Sequence, residues 1–168
     1  MTAGGFGWAY RDNFAALGAY RFQAPQSFRS LPATPFEHAA VASLGTGAER
    51  SNGPIVAFYG DGKTSMIAAL GHHEHFFDPA GSLAADLRAL TENGTPLVDA
   101  HPVDPGPRGG RMSCGTVRLP TFGESGACAW VDGSMSVAYF EARTDITVDQ
   151  DQLAAHAREF RDLAEVPD

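Results

Sequence analysis

Apolar residues along this chain gather in short runs separated by turn-forming residues. Positions 55–59 read Ile-Val-Ala-Phe-Tyr, then Gly60-Asp61-Gly62, then Thr-Ser-Met-Ile-Ala at 64–68. Positions 127–131 read Ala-Cys-Ala-Trp-Val, then Asp132-Gly133, then Met-Ser-Val-Ala-Tyr-Phe at 135–140. Asp-Gly between apolar runs predicts a tight hairpin, because the turn needs residues that tolerate positive φ. The two hairpin signals stand 71 positions apart.

The period changes after each hairpin. Asp78-Pro79 reads as a cap followed by proline at the first helical position, and Leu83, Leu87 and Leu90 then recur on one face until Asn93-Gly94. Thr147 with Gln150 three positions on has the form of a capping box, and Leu153, Ala157, Phe160 and Ala164 form the apolar stripe that follows. Helices are therefore expected near 79–92 and 149–164. Positions 10–22, with Phe14, Leu17 and Tyr20 at helical spacing, suggest a further helix at the N-terminus. Residues 45–53 read as loop, and 103–110, with two prolines and three glycines, as a rigid connector.

The two helical segments correspond at an offset of 70, Leu83-Ala84-Ala85 with Leu153-Ala154-Ala155 and Arg88 with Arg158. The order hairpin-then-helix thus occurs twice. The expectation is a single α+β domain over 1–168, with an N-terminal segment at 1–24, a first half at 25–95 and a second at 96–168. It would form an antiparallel sheet with helices on one face, built from two related hairpin-helix halves. Trp130 and Phe140 are expected in its core.

Composition narrows the partners. The chain has 168 residues, 43% of them hydrophobic, so it is long enough to bury a core. Its formal charge of −8 argues against a nucleic-acid or anionic-membrane partner, since either needs a basic face. Eleven arginines against one lysine, Lys63, read as a genomic codon bias. No window approaches the ~18 uninterrupted apolar residues of a membrane span. The first 18 positions lack the pattern of a secretion signal.

Cys114 and Cys128 lie 14 positions apart, each in a strand-like run, with turn-rich 120–126 between them. Neighbouring antiparallel strands would bring them within bonding range, and the closed loop would contribute roughly 3 kcal/mol. A bond would place the domain in an oxidising compartment, whereas two free thiols would pack as small apolar groups. There is no Cys-x-x-Cys motif and no local set of zinc ligands.

Val103-Asp104-Pro105-Gly106-Pro107, Gly109-Gly110, Cys114-Gly115, then Cys128-Ala129-Trp130 with Asp132-Gly133 and a closing helix, form a combined pattern over residues 103–168. This pattern resembles a group of uncharacterised actinobacterial proteins whose cysteine-containing domain follows a membrane segment or a secretion signal. The resemblance implies an extracytoplasmic location, with a leader or membrane tether outside this chain, and a Cys114–Cys128 bond. It supplies no catalytic residue. A cytoplasmic location is the alternative.

The most chemical-looking segment is Gly71-His72-His73-Glu74-His75. On a strand His73 and His75 share a face, and with a third ligand such as His101 or His38 they would suit zinc, copper or nickel. A solvated strand end explains the same residues. Residues 57–64, Ala-Phe-Tyr-Gly-Asp-Gly-Lys-Thr, loosely fit a phosphate-binding loop, but Phe58 and Tyr59 are bulky where such a loop needs small residues, and no helix follows. Gly123-Glu124-Ser125-Gly126 has the wrong spacing for a hydrolase elbow. The acids Glu141, Asp149 and Asp151 read as surface and helix-start charges.

No catalytic residue or cofactor is therefore expected. The favoured expectation is a non-enzymatic extracytoplasmic binding or protein-interaction domain for a protein or small molecule. It would act through an open sheet face or the Pro-Gly loops, with a homodimer as one form. One alternative is a metal-binding protein or metal-dependent enzyme using His72, His73 and His75. Another is an assembly subunit docking through the aromatic N-terminus, Phe6, Trp8 and Tyr10.

Overall fold

Both Asp-Gly signals form hairpins, and between and around them the chain builds one large sheet. The structure is a computed structural model that describes residues 17–35, 54–144 and 149–168. Its elements are β1 (Tyr20–Phe22), β2 (Ser27–Phe28), β3 (Leu31–Pro32), β4 (Pro54–Gly60), β5 (Ser65–His73), α1 (Pro79–Glu92), β6 (Val98–Val103), β7 (Arg111–Leu119), β8 (Gly123–Val131), β9 (Met135–Arg143), α2 (Gln150–Ala164) and β10 (Glu165–Pro167). Six strands pair antiparallel in the order β4-β5-β9-β8-β7-β6, while β1 pairs with β10 and β2 with β3. The fold class is α+β with an antiparallel sheet.

Local chemistry explains the turns and caps. In the β4–β5 turn Asp61 Oδ1 accepts the backbone N–H groups of Lys63, Thr64 and Ser65, and Gly60 and Gly62 hold positive φ. In the β8–β9 turn Asp132 Oδ1 accepts from the N–H groups of Ser134 and Met135. Asp78 caps α1 ahead of Pro79, with Gly94 at positive φ beyond the C-cap Asn93. At α2 the cap is Asp149, which accepts from the N–H of Asp151 and Gln152. Thr147, read above as the cap, lies outside the described residues.

The helices do not share a face. Side chains alternate across a strand, and on β8 Cys128 and Trp130 pack with Leu153, Ala157 and Phe160 of α2. Ala129 and Val131 point the other way and pack with Leu83 and Leu87 of α1. On β9 Val137 and Tyr139 face α2, whereas Ser136 donates a hydrogen bond to Asp86 of α1 at 2.6 Å. The sheet is thus sandwiched between α1 and α2, and the one-sided cover and open face expected from the sequence are both corrected. The reason lies in β8 and β9, which carry small or apolar residues on both faces and are buried on both. A duplication is not shown. The β4–β5 and β8–β9 hairpins meet through β5 and β9 antiparallel, and a two-fold axis relating them would put both helices on one face.

Residues 20–22 form a strand rather than the end of an N-terminal helix, pairing Tyr20 with Pro167 and Phe22 with Glu165. Phe22 and Phe28 from this segment pack on Phe160 of α2, at 6.2 and 5.1 Å between ring centres. At one sheet edge Ala33 bridges to Tyr59, and the Thr34 N–H donates to the Phe58 carbonyl. At the other, β6 carries Pro102, a register shift between Val98 and His101, and Asp99 at a φ of 53°, features that discourage edge-to-edge pairing.

Cys114 and Cys128 form a disulfide. They sit directly opposite each other on β7 and β8, with Cα atoms 4.1 Å apart, both fully buried on the α2 face. The turn between the strands lies midway between them in sequence, so strand pairing alone brings the two sulfurs together.

Candidate functional site

Two buried polar groups lie on the α2 face, and they differ in kind. The first is closed. Arg161 of α2 is fully buried, and its guanidinium reaches Asp132 Oδ2 and Glu165 Oε1, each at 2.7 Å. It also donates to the carbonyls of Pro105 and Gly109 at 3.1 and 2.8 Å. Trp130 Nε1 donates to the same Glu165 oxygen at 2.7 Å. The network ties the 104–110 connector, the β8–β9 turn, α2 and the start of β10 together. Glu165 Oε2 is buried without a hydrogen-bond partner. Burial pushes the Glu165 carboxyl up to about 7; Asp132 adds to the rise, and Arg161 opposes it. With the Arg161 guanidinium taken up by two carboxylates and two backbone carbonyls, this group has the character of a structural tie.

The second group opens onto a cavity. Glu141 of β9, read from the sequence as a surface charge, is 8% exposed. It follows Val137 and Tyr139 on the α2 face, two residues per step. The Tyr139 hydroxyl donates to Glu141 Oε2 at 3.0 Å, and His156 Nδ1 of α2 contacts Oε2 at 2.9 Å and Oε1 at 3.2 Å. Since a carboxylate only accepts, Nδ1 carries the hydrogen in this contact. Burial, and then the adjoining Glu141 charge, hold the Tyr139 hydroxyl well above its ordinary value, so it remains a neutral donor. His156 was not singled out in the sequence. The signal for it was its place on the α2 stripe, one residue before Ala157 and four before Phe160.

Glu141 lines a cavity of about 510 Å³. Arg143 and Thr144 follow it at the end of β9, Thr64, Ser65 and Ile67 come from β5 and its approach, and Arg29 and Leu31 come from the β2–β3 hairpin. Arg29 and Ser30 form the turn of that hairpin at φ of 49° and 65°. Neither is glycine or asparagine, the residues that usually occupy this region, so the turn carries backbone strain of about 1 kcal/mol or more per residue. Arg29 also reaches Glu159 of α2 at 3.2 Å across the cavity rim.

The histidine cluster does not converge. His72 lies on the α1 face with its ring 5.7 Å from Phe76 and its Nε2 3.5 Å from Glu74. His73 faces the other way, where its Nε2 accepts the N–H of Phe22 at 3.0 Å. His73 and His75 do line one small cavity with Glu74, Arg21 and Asp168. His101 is on β6, four strands from β5, roughly 19 Å at the usual strand spacing. Among the described residues no group of three or more His, Cys, Asp or Glu is placed to hold a metal ion. His38, Phe6, Trp8 and Tyr10 lie outside the described residues.

The loop at 60–64 is a hairpin turn whose N–H groups are taken by Asp61. Those bonds, led by that of the Thr64 hydroxyl, hold the Asp61 carboxyl well below the usual carboxylate range. A phosphate would find the donors already used. No described helix is long and apolar enough to cross a membrane. No protein-family model, no curated protein and no solved structure matches this chain.

Proposed function

We propose that this chain is a non-enzymatic ligand-binding domain of an oxidising, extracytoplasmic compartment, and that its site is the cavity above Glu141. The observation that carries the reading is the cavity itself. A carboxylate held by two side-chain donors stands at its base, two guanidiniums and three hydroxyls line it, and a strained turn presents one of those guanidiniums. Pockets of this volume suit small ligands rather than macromolecules. The Cys114–Cys128 bond supports the compartment, because such bonds persist where glutathione and thioredoxin do not reduce them. The resemblance of residues 103–168 to exported actinobacterial domains points the same way.

The test is a fragment screen by ¹H–¹⁵N correlation NMR on the oxidised full chain. Saturable shifts at Thr64, Ser65, Arg143 and Thr144 are the expected result. Saturable shifts confined to the far face around α1, or none at all, would overturn the assignment. For the compartment, fusion to a reporter active only after export, in the native cell, should give signal. A wholly cytoplasmic reporter would remove that half of the proposal.

A further inference from the structure

One edge of β1 is held by side chains where a sheet would supply another strand. β1 pairs with β10 alone. On its other edge the Tyr20 N–H donates to Ser134 Oγ at 3.1 Å and the Phe22 N–H donates to His73 Nε2 at 3.0 Å. A hydroxyl oxygen accepts at any pH. An imidazole nitrogen accepts only while it keeps its lone pair, and histidine is the side chain that ordinarily takes up a proton between pH 5 and 8. Because a backbone N–H only donates, the neutral ring carries its hydrogen on Nδ1, and Nδ1 is buried with no hydrogen-bond partner. A second proton therefore goes to Nε2. There it sets two N–H groups head to head and leaves the partly buried Phe22 donor without its acceptor, which costs more than the bond itself contributed.

The charged groups around the ring offer no replacement. Glu74 and His75 follow His73 in the chain, and Arg21 and Asp168, 4.0 Å apart, line the same small cavity with Tyr20. Glu74 lies 3.5 Å from His72 Nε2. Glu165 stands opposite Phe22 on β10, with Oε1 given to Trp130 and Arg161. None of these bonds either nitrogen of His73. A release at this point has a built end. The Gln23 N–H donates to the Ala164 carbonyl at 2.7 Å, and the Tyr59 hydroxyl, which burial pushes up to about 12, donates to the Pro25 carbonyl at 2.8 Å. Neither contact titrates where histidine does.

We infer that His73 is an acid-sensitive latch, whose protonation releases residues 18–22 from the core and leaves β10 without its strand partner. The inference stands apart from the cavity reading. It also gives His73 a role other than metal binding, since Nε2 is spent on Phe22.

The experiment is amide hydrogen exchange by NMR on the oxidised full chain, with imidazole ¹⁵N spectra to report when His73 gains its proton. Protection factors remove the intrinsic pH dependence of exchange. The result expected is that Phe22 protection falls at least about tenfold from about pH 7.5 to about pH 5, in step with the His73 signal, while the amides of β8 keep theirs. Glu165 titrates at about 7, but its proton stabilises the folded chain, so it cannot produce a loss on acidification, and Glu165→Gln should show the same fall. His73→Gln offers an amide oxygen that does not titrate, and it should hold Phe22 protection within about twofold across the range. Unchanged Phe22 protection once the ¹⁵N spectra show His73 protonated overturns the latch. So does a ring that stays neutral to about pH 5. A fall shared by β8 shows general acid unfolding and overturns it too. The parent spectra decide the matter alone if His73→Gln does not fold.

Discussion

Glu165 offers a sharp test of how the closed polar network is held. Its carboxyl titrates at about 7 in the folded chain against an ordinary value of 4.5, because burial raises it more than Arg161 lowers it. Below pH 4 the group is protonated in both folded and unfolded chains and stability does not depend on it. Between 4.5 and 7 the unfolded chain ionises while the folded chain keeps its proton, so the folded chain binds more protons and its stability falls as pH rises. Above 7 both are ionised and the loss is complete, at roughly 3 kcal/mol for a shift from 4.5 to about 7. Glu165→Gln keeps an oxygen for Trp130 Nε1 and Arg161 Nε while removing the titration. Urea denaturation of both proteins across pH 4–8 isolates the effect, because every other group contributes to both curves. The expected outcome is that the parent loses stability relative to the variant by about 3 kcal/mol between pH 4.5 and pH 7.5. Parallel curves, or a parent that gains on the variant with rising pH, would refute the reasoning and show that the Arg161 ion pair outweighs desolvation.

Other perturbations probe other ties. The double variant Cys114→Ala/Cys128→Ala should lose about 3 kcal/mol in urea denaturation, for the loop closed by a sequence separation of 14, and reductant should then no longer affect stability. An unchanged midpoint would place the stability of β7–β8 in strand pairing and packing alone. Arg161→Met should cost about 3–5 kcal/mol by leaving Asp132 and Glu165 buried without their cation, read as a fall in thermal midpoint. Gly71→Ala should destabilise by more than about 2 kcal/mol, since its methyl would collide with the Ser136 carbonyl of the paired strand β9. By contrast Gly94→Ala has open space around it and pays only for its positive φ, about 1 kcal/mol.

Features set by neighbours in sequence were legible. Asp61 and Asp132 announce their turns, because an aspartate oxygen takes up nearby N–H groups whatever the rest of the chain does. Asp78-Pro79 and Asn93-Gly94 bound α1 for the same local reason. The cysteine pairing followed from two residues equally far from one turn. What was missed needed two levels at once. The 127–131 run was read as one hairpin arm, yet its small and apolar residues on both faces already implied a layer above and a layer below. Glu141 was read as solvated because acids usually are, although its step from Tyr139 and Val137 put it on an apolar face. The histidines at 72, 73 and 75 drew attention by number, while the lone His156, placed on a core-facing helix stripe, is the one that meets a buried carboxylate. A duplication inferred from the repeated order of hairpin and helix put both helices on one face, and face is what separates α1 from α2 here.

The two buried polar groups are coupled through a single helix. Arg161 fixes α2 against the β8–β9 turn and the 104–110 connector, and His156 lies five residues earlier, about 7.5 Å along the same axis. Glu159 lies between them and holds Arg29 at the cavity rim. The closed network therefore sets the height and rotation at which α2 meets Glu141 and the strained β2–β3 turn. Packing supports this reading, since Phe160 wedges against Phe28, Tyr59 and Tyr139 between the two polar groups and leaves α2 little room to slide. A chain that needed only stability could fill the positions of Arg161, Asp132 and Glu165 together with apolar side chains, because whole buried ion-pair groups exchange for such packing at little or no cost, whereas losing Arg161 alone strands the two acids. The directional contacts of Arg161 give what apolar packing does not, a single register for the helix, and that register sets where His156 meets Glu141 and where Glu159 meets Arg29.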